Sequence, residues 1–167
     1  MSMSEATIET ADQLKRLKIR RAEQAQRAVA RQRRRMLKQS QVAAEDRQKL
    51  DISRREAQEA EAELYRALPG QPLADGRFHG IALRLEAIQQ TVIRAADQLR
   101  ESIDALSEAS EALERAQIEE QAARRAAEAI AQFYDTSVKP ERRRLSRRRA
   151  NAADDALAEQ YQSWSSP

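Results

Sequence analysis

Five of the six glycines and prolines inside this 167-residue chain fall in one window, PGQPLADGRFHG, residues 69–80. They are Pro69, Gly70, Pro72, Gly76 and Gly80; the sixth is Pro140, and Pro167 is the last residue. Glycine weakens a helix through its backbone freedom, and proline lacks the helical donor and clashes with the preceding turn. The distribution therefore predicts one loop, residues 69–80, between two helices covering about 5–68 and about 81–162. At the rise of an α-helix, each would run on the order of 100 Å. Pro140 predicts an interruption near 136–140, with Thr136 and Ser137 as candidate N-caps.

Composition leaves few alternatives to helix. Aromatic residues are 4% of the chain and charged residues 34%, and alanine dominates the hydrophobic share. Such a sequence cannot fill a globular interior or a broad sheet, and it matches long helices or a coiled coil.

Apolar residues recur every seven positions in both halves. One stripe runs Ile8, Lys15, Ala22, Val29, Met36, Ala43, Leu50, Ala57, Leu64. Another runs Leu85, Val92, Leu99, Leu106, Leu113, Glu120, Ala127, Tyr134, with Ile88, Ala95, Ser102, Ala109, Ala116, Ala123 and Ile130 three residues on. Folding the chain at the loop sets residue n against residue 149 − n, which pairs Leu64 with Leu85, Leu50 with Leu99 and Met36 with Leu113. The expected fold is all-α, a long antiparallel two-helix coiled-coil hairpin kinked near Pro140. Its seam is thin, since Gln32, Gln39, Asp46 and Ser53 occupy the second layer of the first helix. Beyond Pro140, Ala150, Leu157 and Trp164 keep the spacing with little of the first helix left to pack on.

Charge is unevenly spread under a net of +3. Residues 12–38 hold eleven Lys/Arg and two acids, and residues 139–149 (KPERRRLSRRR) hold seven and one. Folded at the loop, both blocks gather at the end away from it. A solvated helical face explains many charge runs, but Arg33–Arg35 and the two RRR triplets lack enough local acids to pair with. Docking to an acidic protein surface and contact with nucleic-acid phosphate remain. No zinc-finger, RNP or helix-turn-helix pattern accompanies the charge, so no specific nucleic acid is expected.

Nothing in the chain argues for an enzyme. No cysteine is present and His79 is the only histidine, which removes thiolate chemistry, a histidine metal cluster and a serine triad with a spare base. Phosphate-loop, dinucleotide-binding and metalloprotease motifs are missing too, so no catalytic residue, cofactor or metal is expected. The apolar runs are too short to insert in a membrane, and Met1–Thr10 lacks the pattern of a Sec signal, so a cytoplasmic location is expected.

The length, the mid-chain loop, the basic first helix (KRLKIRRAEQAQRAVARQRRR) and the basic C-terminal helix running into RRRANAADDALAEQYQSW together define a layout. It resembles the FliJ/YscO (SctO) family, the central stalk proteins of type III secretion and flagellar export ATPases. The resemblance implies that the open end inserts into the pore of a hexameric export ATPase and that the hairpin tip faces the cytoplasmic domain of the export gate. Some members also handle export chaperones. On that layout the ATPase-binding residues are Arg16, Arg20, Arg31, Arg34, Arg143, Arg144, Arg147 and Arg148. The gate-binding residues are Leu73, Arg77, Phe78 and Leu83. The implied location is the base of the secretion apparatus, and the Ser, Thr, Ile and Ala of Met1–Thr10 would also suit an export signal. Two other classes compete: a coiled-coil nucleic-acid-binding protein, and a structural scaffold pairing the same stripes between chains.

Overall fold

A computed structural model describes residues 4–67 and 75–164. The fold is all-α, an antiparallel hairpin of two long helices: α1 (Glu5–Ala67) and α2 (Asp75–Phe133), the latter continued through one π turn (Tyr134–Val138) into α3 (Lys139–Trp164).

The seven-residue rule survives along the whole of α1. An unbroken series of less exposed positions steps alternately by three and four, from Ile8, Ala11, Lys15 and Lys18 to Ser53, Ala57, Ala60 and Leu64, with Asp12, Ala28, Val42 and Ala62 half-buried beside it. In α2 the same alternation runs from Leu85 and Ile88 to Ile130 and Tyr134. A strict three-and-four spacing is the seam of a coiled coil, with each layer meeting a layer of the facing helix.

Packing divides the chain into two units, Val29–Ala116 and Met1–Ala28 with Gln117–Pro167. Within the first, Leu64 and Leu85 line one hollow, as the 149 − n pairing expects. Among the described residues its buried apolar ones are Ala43, Leu50, Ala109 and Ala116, three of them alanines. Alanine layers let helices approach but withdraw little apolar surface from water, at about 25 cal/mol per Å². Asp46 and Ser102 sit among them, buried and bonded to each other. Within the second unit the core is Ile8, Ala11 and Val138, with Tyr134 and Leu145 packed against it.

Two expectations need correcting. Helix α2 begins at Asp75, so Gly76 and Gly80 lie in its first turns and the loop does not reach residue 80. Gly80 has nothing within 4 Å of where a Cβ would stand, so no close approach demands a glycine there. A glycine near a helix start costs on the order of 1 kcal/mol and does not stop propagation.

The interruption near Pro140 is an inserted residue, with no capped restart. Phe133 and Lys139, on either side of the π turn, both keep right-handed helical backbone, and the Lys139 N–H bonds the carbonyl of Tyr134, five residues back. The Thr136 hydroxyl donates to the Gln132 carbonyl at 2.9 Å, so it bonds within the helix and caps nothing. In an unbroken α-helix the Pro140 ring would strike the Thr136 carbonyl, which would also lose its donor. A wider turn relieves both. The extra residue moves the seam by one place, so that Val138 is buried where the heptad count points to Ser137.

Candidate protein-docking surface

In the unit that joins Met1–Ala28 to Gln117–Pro167, the seam offset decides which arginines of α3 face α1. Counting by sevens from the shifted seam gives Val138 and Leu145 on one row and Arg142 and Arg149 on the other. Leu145 packs on the core, while both arginines reach acids of α1. Arg142 Nη1 donates to Asp12 Oδ2 at 3.2 Å and to Tyr134 Oη at 3.1 Å. Arg149 pairs with Glu5. Above the same tyrosine, Lys15 Nζ stands 4.1 Å from the ring centroid, a cation–π contact. The Tyr134 hydroxyl, and then the Asp12 carboxylate, hold the Arg142 guanidinium above its ordinary range, so it is always charged. Exposed pairs of this kind add little stability; here they link α3 to α1 beside the packing of Val138 and Leu145.

The remaining arginines of the block point elsewhere. Arg144 donates to Glu141 at 2.7 Å, and Lys139 lies 3.7 Å from Asp135. Arg143, Arg147 and Arg148 are exposed and make no ion pair among the described residues. Together with Asp135, Lys139, Pro140 and Arg144, Arg143 and Arg147 line an open polar hollow. Four residues apart on a helix, their Cβ atoms stand about one turn from each other, roughly 6 Å. Planar forks at that spacing suit carboxylates and phosphates, which they can grip with two hydrogen bonds each.

Of the eight arginines proposed from sequence, Arg16, Arg20, Arg143, Arg144, Arg147 and Arg148 belong to this unit and are all exposed. Arg31 and Arg34, also exposed, belong to the Val29–Ala116 unit. Arg144 is partly neutralised by Glu141, which the sequence reading did not foresee. Within the Val29–Ala116 unit, Leu83 is 53% exposed on α2. Arg77 and Phe78 lie in the first turn of α2, their side chains outside the described set, and Leu73 lies outside the described residues.

Sequence reasoning missed the inward roles of Arg142 and Arg149, because they depend on the inserted residue at the π turn. Arg142 lies seven residues before Arg149, and that spacing was the one available signal. Among the described residues no group of His, Cys, Asp or Glu could hold a metal ion, and no helix is long and apolar enough to cross a membrane. Comparison with protein-family models, with curated proteins and with solved structures returns no match.

Proposed function

We propose that this chain is a central stalk protein of a type III secretion system. In this reading its basic end docks in the pore of the hexameric export ATPase, on the cytoplasmic side, and its loop end meets the export gate. The observation that carries the reading is the division of the α3 arginines. Arg142 and Arg149 are occupied by acids of α1, whereas Arg143, Arg147 and Arg148 are exposed and make no ion pair among the described residues. A set of cations carried by one helix, with no ion pair among the described residues, suits a carboxylate-lined socket. Contact of one such set with a nearly symmetric ring favours one subunit's nucleotide state over its neighbours', which is a coupling free energy between sites.

The test is stimulation of ATP hydrolysis in a purified hexameric export ATPase. Added full-length chain should raise the rate, and Arg143→Glu with Arg147→Glu should lose most of that increase while keeping its helical signal. Arg144→Glu should lose less, since that guanidinium already faces Glu141. Equal stimulation by the wild type and the Arg143→Glu/Arg147→Glu variant would overturn the assignment.

A further inference from the structure

The two flanks of α1 in the Met1–Ala28 unit differ in kind. One flank carries Glu5, Glu9 and Asp12 and faces the arginines of α3. The other opens into a mainly apolar hollow lined by Ala6, Thr10 and Leu14 from α1 and by Ile130 and Phe133 from α2. The Thr10 hydroxyl bonds back to the Ala6 carbonyl at 2.8 Å, so it offers no free donor to that hollow. Leu14 is 40% exposed and Phe133 43%, with Leu17, also exposed, one turn further along α1.

Past the apolar stretch this flank turns basic. Steps of seven from Ala6 and Leu14 reach Arg20, Arg27 and Arg21, all exposed, about 10–20 Å beyond the hollow along the helix. On the facing side the residues leading to Phe133 are Ala122, Ala126 and Ala129, short enough for a third helix to come close.

We propose that this groove binds an acidic amphipathic helix of a partner protein. Its apolar side chains would seat on Leu14 and Phe133, and its carboxylates would lie about two to four turns away, against Arg20, Arg21 and Arg27. Exposed leucine and phenylalanine beside a helix–helix groove are the anchors that a helix-in-groove contact uses. The charge set on the same flank gives the partner its sign and its direction along the groove. A nucleic acid would have use for the arginines and none for the apolar floor. The inference does not depend on the stalk reading, since the groove lies on the flank of α1 opposite that which meets α3.

The experiment uses the full chain and a fluorescein-labelled helical peptide of about 20 residues, with leucines every third or fourth position and glutamates at one end. A second peptide has the same composition with its leucines scattered round the helix. Fluorescence anisotropy should show the patterned peptide binding at least about tenfold tighter than the scattered one. Leu14→Ala with Phe133→Ala should weaken it about tenfold, with the helical signal retained. Arg21→Glu with Arg27→Glu should weaken it by a similar factor at low salt, and by less as salt rises.

Equal binding of the two peptides, or an apolar variant that binds as well as the wild type, would overturn the proposal. So would a charge-matched single-stranded oligonucleotide that binds tighter than the patterned peptide and ignores the apolar variant. Self-association of the chain that the apolar variant abolishes would assign the groove to a second copy instead.

Discussion

The Ser102 hydroxyl donates to Asp46 Oδ2 at 2.5 Å across the seam between α1 and α2, joining residues 56 apart in sequence. Asp46 is 2% exposed, and its other oxygen accepts from Lys49 at 2.8 Å on the same helix. A buried carboxylate must keep its donors, because losing one leaves a charge that neither water nor protein satisfies. A slip of one heptad would set Asp46 against Ala95 or Ala109, neither of which can donate from its side chain. The alanine layers elsewhere along the seam, at Ala95, Ala109 and Ala116, discriminate weakly between registers, so this pair carries part of the choice.

Cysteine pairs can read that choice directly, because the chain has no cysteine of its own. Ala57→Cys with Val92→Cys should oxidise to a disulfide in the native register, whereas Ala57→Cys with Leu99→Cys should not. Adding Asp46→Ala and Ser102→Ala should let the second pair form as well. Its efficient formation with Asp46 and Ser102 intact would show that they do not set the register.

Acid should expose the same pair. Lys49, then Ser102, lower the Asp46 pKa below its ordinary value near 3.8, against the opposing effect of burial. A lowered folded pKa gives stability that is complete above the unfolded value and is lost as pH falls through the folded one. The melting temperature of the wild type minus that of Asp46→Asn should therefore be steady near neutrality and shrink below about pH 4. Lys49 has the opposite sign: Asp46 raises its pKa, so its share is complete below 10.5 and is lost only in stronger alkali.

Among the described residues of the Val29–Ala116 unit, Leu50 is the one buried leucine, 5% exposed. Leu50→Ala should destabilise the chain by about 2–4 kcal/mol in urea unfolding, with few neighbours able to collapse into the space. Ile52, 46% exposed on the same helix, should tolerate alanine within about 0.5 kcal/mol.

Replacing Pro140 should undo the seam offset. In Pro140→Ala the π turn can close to an α turn, which rotates α3 by about 100° relative to α2. A disulfide between Ala11→Cys and Val138→Cys, efficient in the wild type, should then give way to one between Ala11→Cys and Ser137→Cys. An unchanged preference for position 138 would mean that the packing of Val138, and not the proline, holds the turn open.

Much of this fold is legible in the sequence for a simple reason. The seven-residue period is long and strict, so the stripes from Ile8 to Leu64 and from Leu85 to Tyr134 can be matched without coordinates. Local geometry that depends on a single inserted residue is not legible. Pro140 announces an interruption, but a capped restart and a π turn leave the same trace in sequence. With the offset unknown, Arg142 and Arg149 cannot be told from Arg143 and Arg148. The groove at Leu14 and Phe133 is hidden for another reason: neither residue lies on the seam stripe, and only the packing of α1 on α2 brings them together. Asp46 and Ser102 are each readable as polar seam positions, yet which polar residue meets which is a matter of exact stagger.

Everything rests on the start of α1 lying against the end of α2 within one molecule. Spin labels at exposed positions 20 and 129, in protein diluted with unlabelled chain, measure that relation by double electron–electron resonance. Helices in contact have axes about 10 Å apart, so a dominant label distance of about 20 Å is expected. A distance beyond about 60 Å within one chain, with short distances only between chains, would contradict the hairpin and the docking surfaces built on it.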